Sequence, residues 1–117
     1  MKIISPKLHG IIDYLVVVFL LASPILFGLS HEIGLYTYAL AVVHLLLTIL
    51  TDFNAGLLKV IPLPIHGFIE LIVGVALIII AFTLLKNDMA AHMFYAGFGI
   101  AVLAVYLLSD YRKQVKP

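Results

Sequence analysis

The stretch ISPKLHGIIDYLVVVFLL, residues 4–21, recurs as IPLPIHGFIELIVGVALI, residues 61–78. Ile4, His9, Gly10, Ile12, Val16, Val18 and Leu20 return as Ile61, His66, Gly67, Ile69, Val73, Val75 and Leu77, and Asp13 returns as Glu70. Aliphatic matches carry little weight in so apolar a chain, but the His-Gly-x-Ile-acid core does carry weight. Each copy is followed by a second apolar run, and those runs also end alike, in Thr51-Asp52-Phe53 and Ser109-Asp110-Tyr111. The chain therefore reads as two tandem units, residues 4–56 and 61–113, within one domain of 117 residues.

The composition states where such a chain can live. Of its residues 64% are hydrophobic and 11% charged, and the mean hydropathy is +1.21. Soluble domains carry about a quarter charged residues, so lipid must cover much of this surface. Four uncharged runs, Tyr14 to Ser30, Ile33 to Thr51, Leu71 to Leu85 and Met89 to Ser109, are set apart by charges. A helix needs about 20 apolar residues to cross the hydrocarbon core. The first and third runs reach that length only if their helices begin upstream, which puts Asp13 and Glu70 one or two turns inside. Ser5-Pro6 suits an N-cap and first turn, Pro62 and Pro64 suit the same place in the third helix, and Asn54-Ala55-Gly56 suits the end of the second. The expected spans are 8–29, 34–53, 65–85 and 90–110. The fold class is all-α: an integral membrane four-helix bundle of two tandem two-helix repeats. Because each repeat holds two spans, the copies enter the membrane alike, about a pseudo-two-fold axis along its normal.

Lys2, Lys7, Lys59, Arg112, Lys113 and Lys116 fall on one side of these spans and Lys86 on the other. The positive-inside rule then places both termini in the cytoplasm. The N-terminal segment resembles a leader, but its return in the second copy makes it a span rather than a cleaved peptide. A net charge of +1 gives no argument for nucleic acid. The absence of cysteine excludes disulfides, thiolate metal sites and cysteine nucleophiles.

Ser23-Pro24 followed by Ile25-Leu26-Phe27-Gly28-Leu29-Ser30, after the first span of two tandem two-helix repeats, resembles the bacterial SPW-repeat membrane proteins. That family is named for a Ser-Pro-Trp at this place, where Ile25 stands here and Ile80-Ala81-Phe82 stands in the second copy. The resemblance implies a multi-pass protein of the bacterial cytoplasmic membrane and brings no activity with it.

His9 and Asp13 are four apart on one helix, as are His66 and Glu70, so each pair shares a face. If the first and third helices meet, four groups converge, with Asp52 and Asp110 near the same level. Structural clamping between the repeats is the first reading, with Lys7, Lys59 or Arg112 as salt-bridge partners. A proton or ion path through Asp13, Asp52, His44 and Glu70 is the alternative. The second alternative is a zinc, manganese or iron site on His9, Asp13, His66 and Glu70.

His44 sits in mid-span and should point into the bundle and bond a tyrosine or a carbonyl, Tyr106 being a candidate. It finds no second histidine at its own depth, which disfavours haem. Gly97 and Ala101 give the fourth helix a small-residue face for close packing. No glycine-rich phosphate loop, serine elbow or zinc-protease helix is present, so no enzyme and no cofactor is expected beyond a divalent metal. The expected partners are the lipid bilayer and further copies of the chain.

Overall fold

Ser5 starts the first helix: its Oγ accepts the Leu8 N–H at 3.2 Å, and Pro6 takes the first helical position, where no N–H is needed. Ser30 and Asp88 cap their helices in the same way, on Ile33 and Ala91. The third helix has no side-chain cap and relies on prolines at its start. The computed structural model describes residues 2–112. It contains α1 (Pro6–Leu26), α2 (His31–Leu50), α3 (Leu63–Phe82) and α4 (Met89–Leu108). All four are long and apolar enough to cross a membrane. Each boundary lies within about a turn of the expected span. Pro24 falls in the last turn of α1, and Gly28 takes the left-handed conformation (φ 62°) that reverses the chain into α2.

The second helix stops sooner than Asn54-Ala55-Gly56. Thr51 is already extended (ψ 140°), and Thr51–Asp52 forms a short strand, β1, parallel to β2 (Ile61–Pro62). The same device closes the other junction. Ile4 bridges Ser109 in parallel, its N–H donating to Leu108 O and its carbonyl accepting from Asp110 N–H, both at 2.9 Å. The start of α3 is thus laced to the end of α2, and the start of α1 to the end of α4.

The helices associate as two hairpins, α1 along α2 and α3 along α4. At one end the hairpins meet through an apolar core of Leu20, Ala41, Leu77, Ala81, Phe94 and Tyr95, and through a 2.6 Å hydrogen bond between Thr37 and Tyr95. At the other end they meet through polar side chains. Large apolar residues such as Leu15, Val18, Ile25, Val43, Phe68 and Ile79 are exposed along the outside.

The close approach within the second hairpin is not made by the Gly97 and Ala101 face. A methyl on Gly97 would meet nothing within 4 Å, and Ala101 is exposed. The neighbouring face does the packing: a methyl on Gly99 would stand 2.8 Å from Ile78 Cγ1 and 3.0 Å from the Gly74 carbonyl oxygen. Gly99→Ala is therefore expected to destabilise by about 1–3 kcal/mol through overpacking. Gly97→Ala should be neutral or stabilise by up to about 1 kcal/mol through helix propensity. Thermal unfolding of both variants in mild detergent checks this, and equal effects would refute the assignment of faces.

Candidate functional site

The helical spacing of four carries out what it promises locally. His9 and Asp13 lie on one face of α1 and His66 and Glu70 on one face of α3, with all four buried. The two faces meet. Relative exposures are 1% for His9, 2% for Asp13, 0% for His66 and 5% for Glu70, so the group is shielded from bulk solvent. His66 Nε2 lies 2.7 Å from Glu70 Oε1 and 3.2 Å from Asp13 Oδ2. His9 Nε2 lies 2.9 Å from the same Glu70 oxygen and 3.2 Å from Asp13 Oδ1. One ligating atom from each residue falls within 4.8 Å of all the others.

The outer nitrogens of both rings are anchored on hydroxyls. His9 Nδ1 is 2.7 Å from Ser109 Oγ, and His66 Nδ1 is 2.7 Å from Thr51 Oγ1. The Thr51 hydroxyl donates its proton to Leu47 O at 2.6 Å, so it must accept from His66 Nδ1–H. That fixes the tautomer and leaves Nε2 as the nitrogen aimed at the centre. Such an outer partner is what orients a ligating imidazole. Without a metal, each Nε2 needs a proton to bond Glu70 Oε1. Where both nitrogens of both rings carry protons, the two carboxylates are balanced and the group has no net charge.

Two aromatic residues roof the group. The Phe53 ring lies 5.6 Å from His66, and a methyl on Gly10 would come within 3.3 Å of it. The Tyr111 ring lies 5.3 Å from His9, and a methyl on Gly67 would stand 2.8 Å from it. The two lids differ in one atom. Tyr111 OH donates to Glu70 Oε2 at 2.7 Å, while Phe53 has no hydroxyl to offer Asp13. Burial and the adjacent Glu70 carboxylate push the Tyr111 phenol above its ordinary range, so it remains a donor. Asp13 Oδ2, although near His66, has no hydrogen bond.

His44 enters from α2, with Nε2 3.4 Å from Asp13 Oδ1 but also without a hydrogen bond. Tyr106, its expected partner, lies instead against Tyr111, with ring centroids 5.4 Å apart. The expected cationic partners are elsewhere too. Lys59 donates to Phe53 O, and Arg112 pairs with Asp110 at 3.0 Å, holding that carboxyl below its usual range. Asp52 and Asp110 stand outside the four-ligand group. Lys113 and Lys116 lie outside the described residues.

Sequence reasoning missed Thr51, Ser109, Phe53 and Tyr111 as parts of the site. The signal was the paired endings Thr51-Asp52-Phe53 and Ser109-Asp110-Tyr111, which read as helix ends rather than as two hydroxyl anchors and two lids. Compared with protein-family models, curated proteins and solved structures, the chain finds no match in any of the three.

Proposed function

We propose that this chain is a multi-pass membrane protein that binds one divalent transition metal, of the zinc, manganese or iron class, between its two repeats. The carrying observation is the convergence of His9, Asp13, His66 and Glu70 within 4.8 Å, each imidazole held from behind by a hydroxyl. Two imidazoles and two carboxylates suit these metals, and Asp13 Oδ2 supplies a buried lone pair that no protein group uses. Tetrahedral zinc with bonds of about 2.0–2.1 Å would set ligand atoms about 3.3 Å apart. The Nε2–oxygen distances of 2.7–3.2 Å would open by a few tenths of an ångström, and ligand pairs near the 4.8 Å limit would close in. A divalent ion replacing two protons keeps the buried group neutral.

The membrane placement rests on the four apolar helices and the exposed apolar exterior. The two-repeat arrangement is supported by the matching pairs His9–Ser109 and His66–Thr51, and by the matching Ile4–Ser109 and Ile61–Thr51 pairings. Lys2, Lys7, Lys59 and Arg112 belong to that laced end, so the site would lie toward the cytoplasm.

Titration of metal-free protein in mild detergent with Zn2+ or Mn2+ tests the proposal. One ion per chain is expected, with affinity at least 100-fold lower in His9→Ala. Binding displaces protons, so affinity should rise with pH, by up to about 100-fold per unit where two protons leave. Unsaturable uptake, or uptake indifferent to His9→Ala, would reject it.

One observation favours a second reading, a structural clamp. Between the hairpins the helices approach sparsely, and the His9–Glu70 hydrogen bond joins them at this end. Unchanged stability of a His66→Ala variant would reject the clamp.

A further inference from the structure

The four-ligand set leaves His44 unused. Its Nε2 lies 3.4 Å from Asp13 Oδ1, is buried and makes no hydrogen bond. Buried polar atoms in native proteins are nearly always satisfied, so this nitrogen asks for a partner within the protein. The other repeat shows which one. Glu70, the counterpart of Asp13, divides its two oxygens between two duties. Oε1 faces both imidazoles, 2.7 Å from His66 Nε2 and 2.9 Å from His9 Nε2. Oε2 accepts the Tyr111 hydroxyl at 2.7 Å.

Asp13 has no such hydroxyl, because Phe53 stands in its repeat where Tyr111 stands in the second. In register with the paired endings, His44 lies seven residues before Thr51 and Val102 seven before Ser109. The repeats have thus exchanged donors. One has a donor in mid-helix and an inert lid; the other has a donor in the lid and an aliphatic residue in mid-helix. Each carboxylate is left one donor outside the ligand set, from its own repeat: His44 for Asp13 and Tyr111 for Glu70. A carboxylate can only accept, so His44 Nε2 is the atom that carries the proton.

We propose that the centre is built to hold zinc four-coordinate, with His44 and Tyr111 as matched positioning residues that each hold the outer oxygen of one carboxylate ligand. The assignment rests on the metal reading and deepens it by naming the metal. In the metal-free arrangement Asp13 Oδ1 also faces His9 Nε2, at 3.2 Å. A bound ion takes the imidazole Nε2 atoms in place of their protons. Oδ1 then loses His9 as a donor and turns to His44, while Oδ2, unbonded beside His66, turns to the ion. Two carboxylates held to one bond each and two imidazoles make the four ligands that structural zinc takes. Manganese favours an octahedral, oxygen-rich set, so a site closed at four selects against it. Outer hydrogen-bond partners of this kind are worth about 10–100-fold in metal affinity.

The experiment loads the full chain in mild detergent with Co2+, whose visible absorption is strong when four-coordinate and weak at higher coordination, and then displaces it with Zn2+ or Mn2+. The parent should show the strong bands. In His44→Leu the Asp13 carboxylate is free to bind through both oxygens. Absorption per bound cobalt should fall at least two-fold, and the preference for zinc over manganese at least ten-fold. Tyr111→Phe should do the same through Glu70; it removes a single hydroxyl, and so carries the test even where His44→Leu does not fold. His44→Gln keeps an N–H of similar reach and should restore the parental spectrum and preference. Weak bands in the parent, or parental bands and preference in folded His44→Leu or Tyr111→Phe, would overturn the proposal while leaving the metal reading in place. Loss of cobalt from folded His44→Leu would make His44 a ligand and overturn its positioning role. A folded parent that binds none of the three ions would reject the metal reading itself.

Discussion

His66→Ala is expected to destabilise the protein by about 3–5 kcal/mol and to remove metal binding. The imidazole is fully buried, and its two nitrogens hold three partners: Thr51 at 2.7 Å, Glu70 at 2.7 Å and Asp13 at 3.2 Å. Removing it leaves Glu70 without one of its two 2.7 Å contacts and Asp13 Oδ2 without its neighbouring imidazole, with both carboxylates buried. Breaking a buried charged pair from one side costs about 3–5 kcal/mol, because the remaining charge stays buried and uncompensated. The cavity adds to that. His92→Ala is the comparison. That ring makes one bond, to the Ala81 carbonyl oxygen at 2.7 Å, from a half-buried position, and should cost about 1 kcal/mol. Thermal or denaturant unfolding in one detergent ranks the two variants. Equal losses would mean that the cluster bears no special share of stability.

Gly56→Ala should be nearly as damaging, although Gly56 touches none of the four ligands. Its backbone is not left-handed; what it requires is space. A methyl there would fall on the Thr51 carbonyl oxygen and come within 3.4 Å of the Phe53 ring. Backbone cannot yield as a long side chain can, so Thr51 must shift. Thr51 is the anchor of His66 and the partner of Ile61 in the short parallel pairing. Overpacking of this kind costs about 1–3 kcal/mol and more where backbone must move. The distinguishing readout is metal affinity. Gly56→Ala should weaken it at least ten-fold by turning the His66 ring, whereas Gly97→Ala should leave it unchanged. A Gly56→Ala variant with parental stability and affinity would refute the Thr51 anchor.

Much of the architecture was legible because lipid-length apolar runs leave few alternatives, and because His-Gly-x-Ile-acid occurs twice. The convergence of His9, Asp13, His66 and Glu70 followed once α1 and α3 were expected to meet. Other features depend on which face of a helix turns inward, and spacing alone does not tell. Gly97 and Ala101 are four apart, as close packing requires, yet Gly99 and Gly74 make the approach. Tyr106 is the candidate partner on the sequence, but Asp13 is what His44 faces. Thr51 and Ser109 looked like ordinary residues at the ends of helices. Their role as anchors depends on the chain turning extended there, which the parallel pairings with Ile61 and Ile4 stabilise.

The most direct test of the metal centre is elemental analysis of the full chain, purified without a polyhistidine tag in mild detergent and then offered one equivalent each of zinc, manganese and iron before dialysis. Close to one metal ion per chain should remain, and almost none in the His9→Ala variant. A folded protein that retains no metal, or retains as much in His9→Ala, would contradict the account and leave the cluster as a proton-bridged clamp.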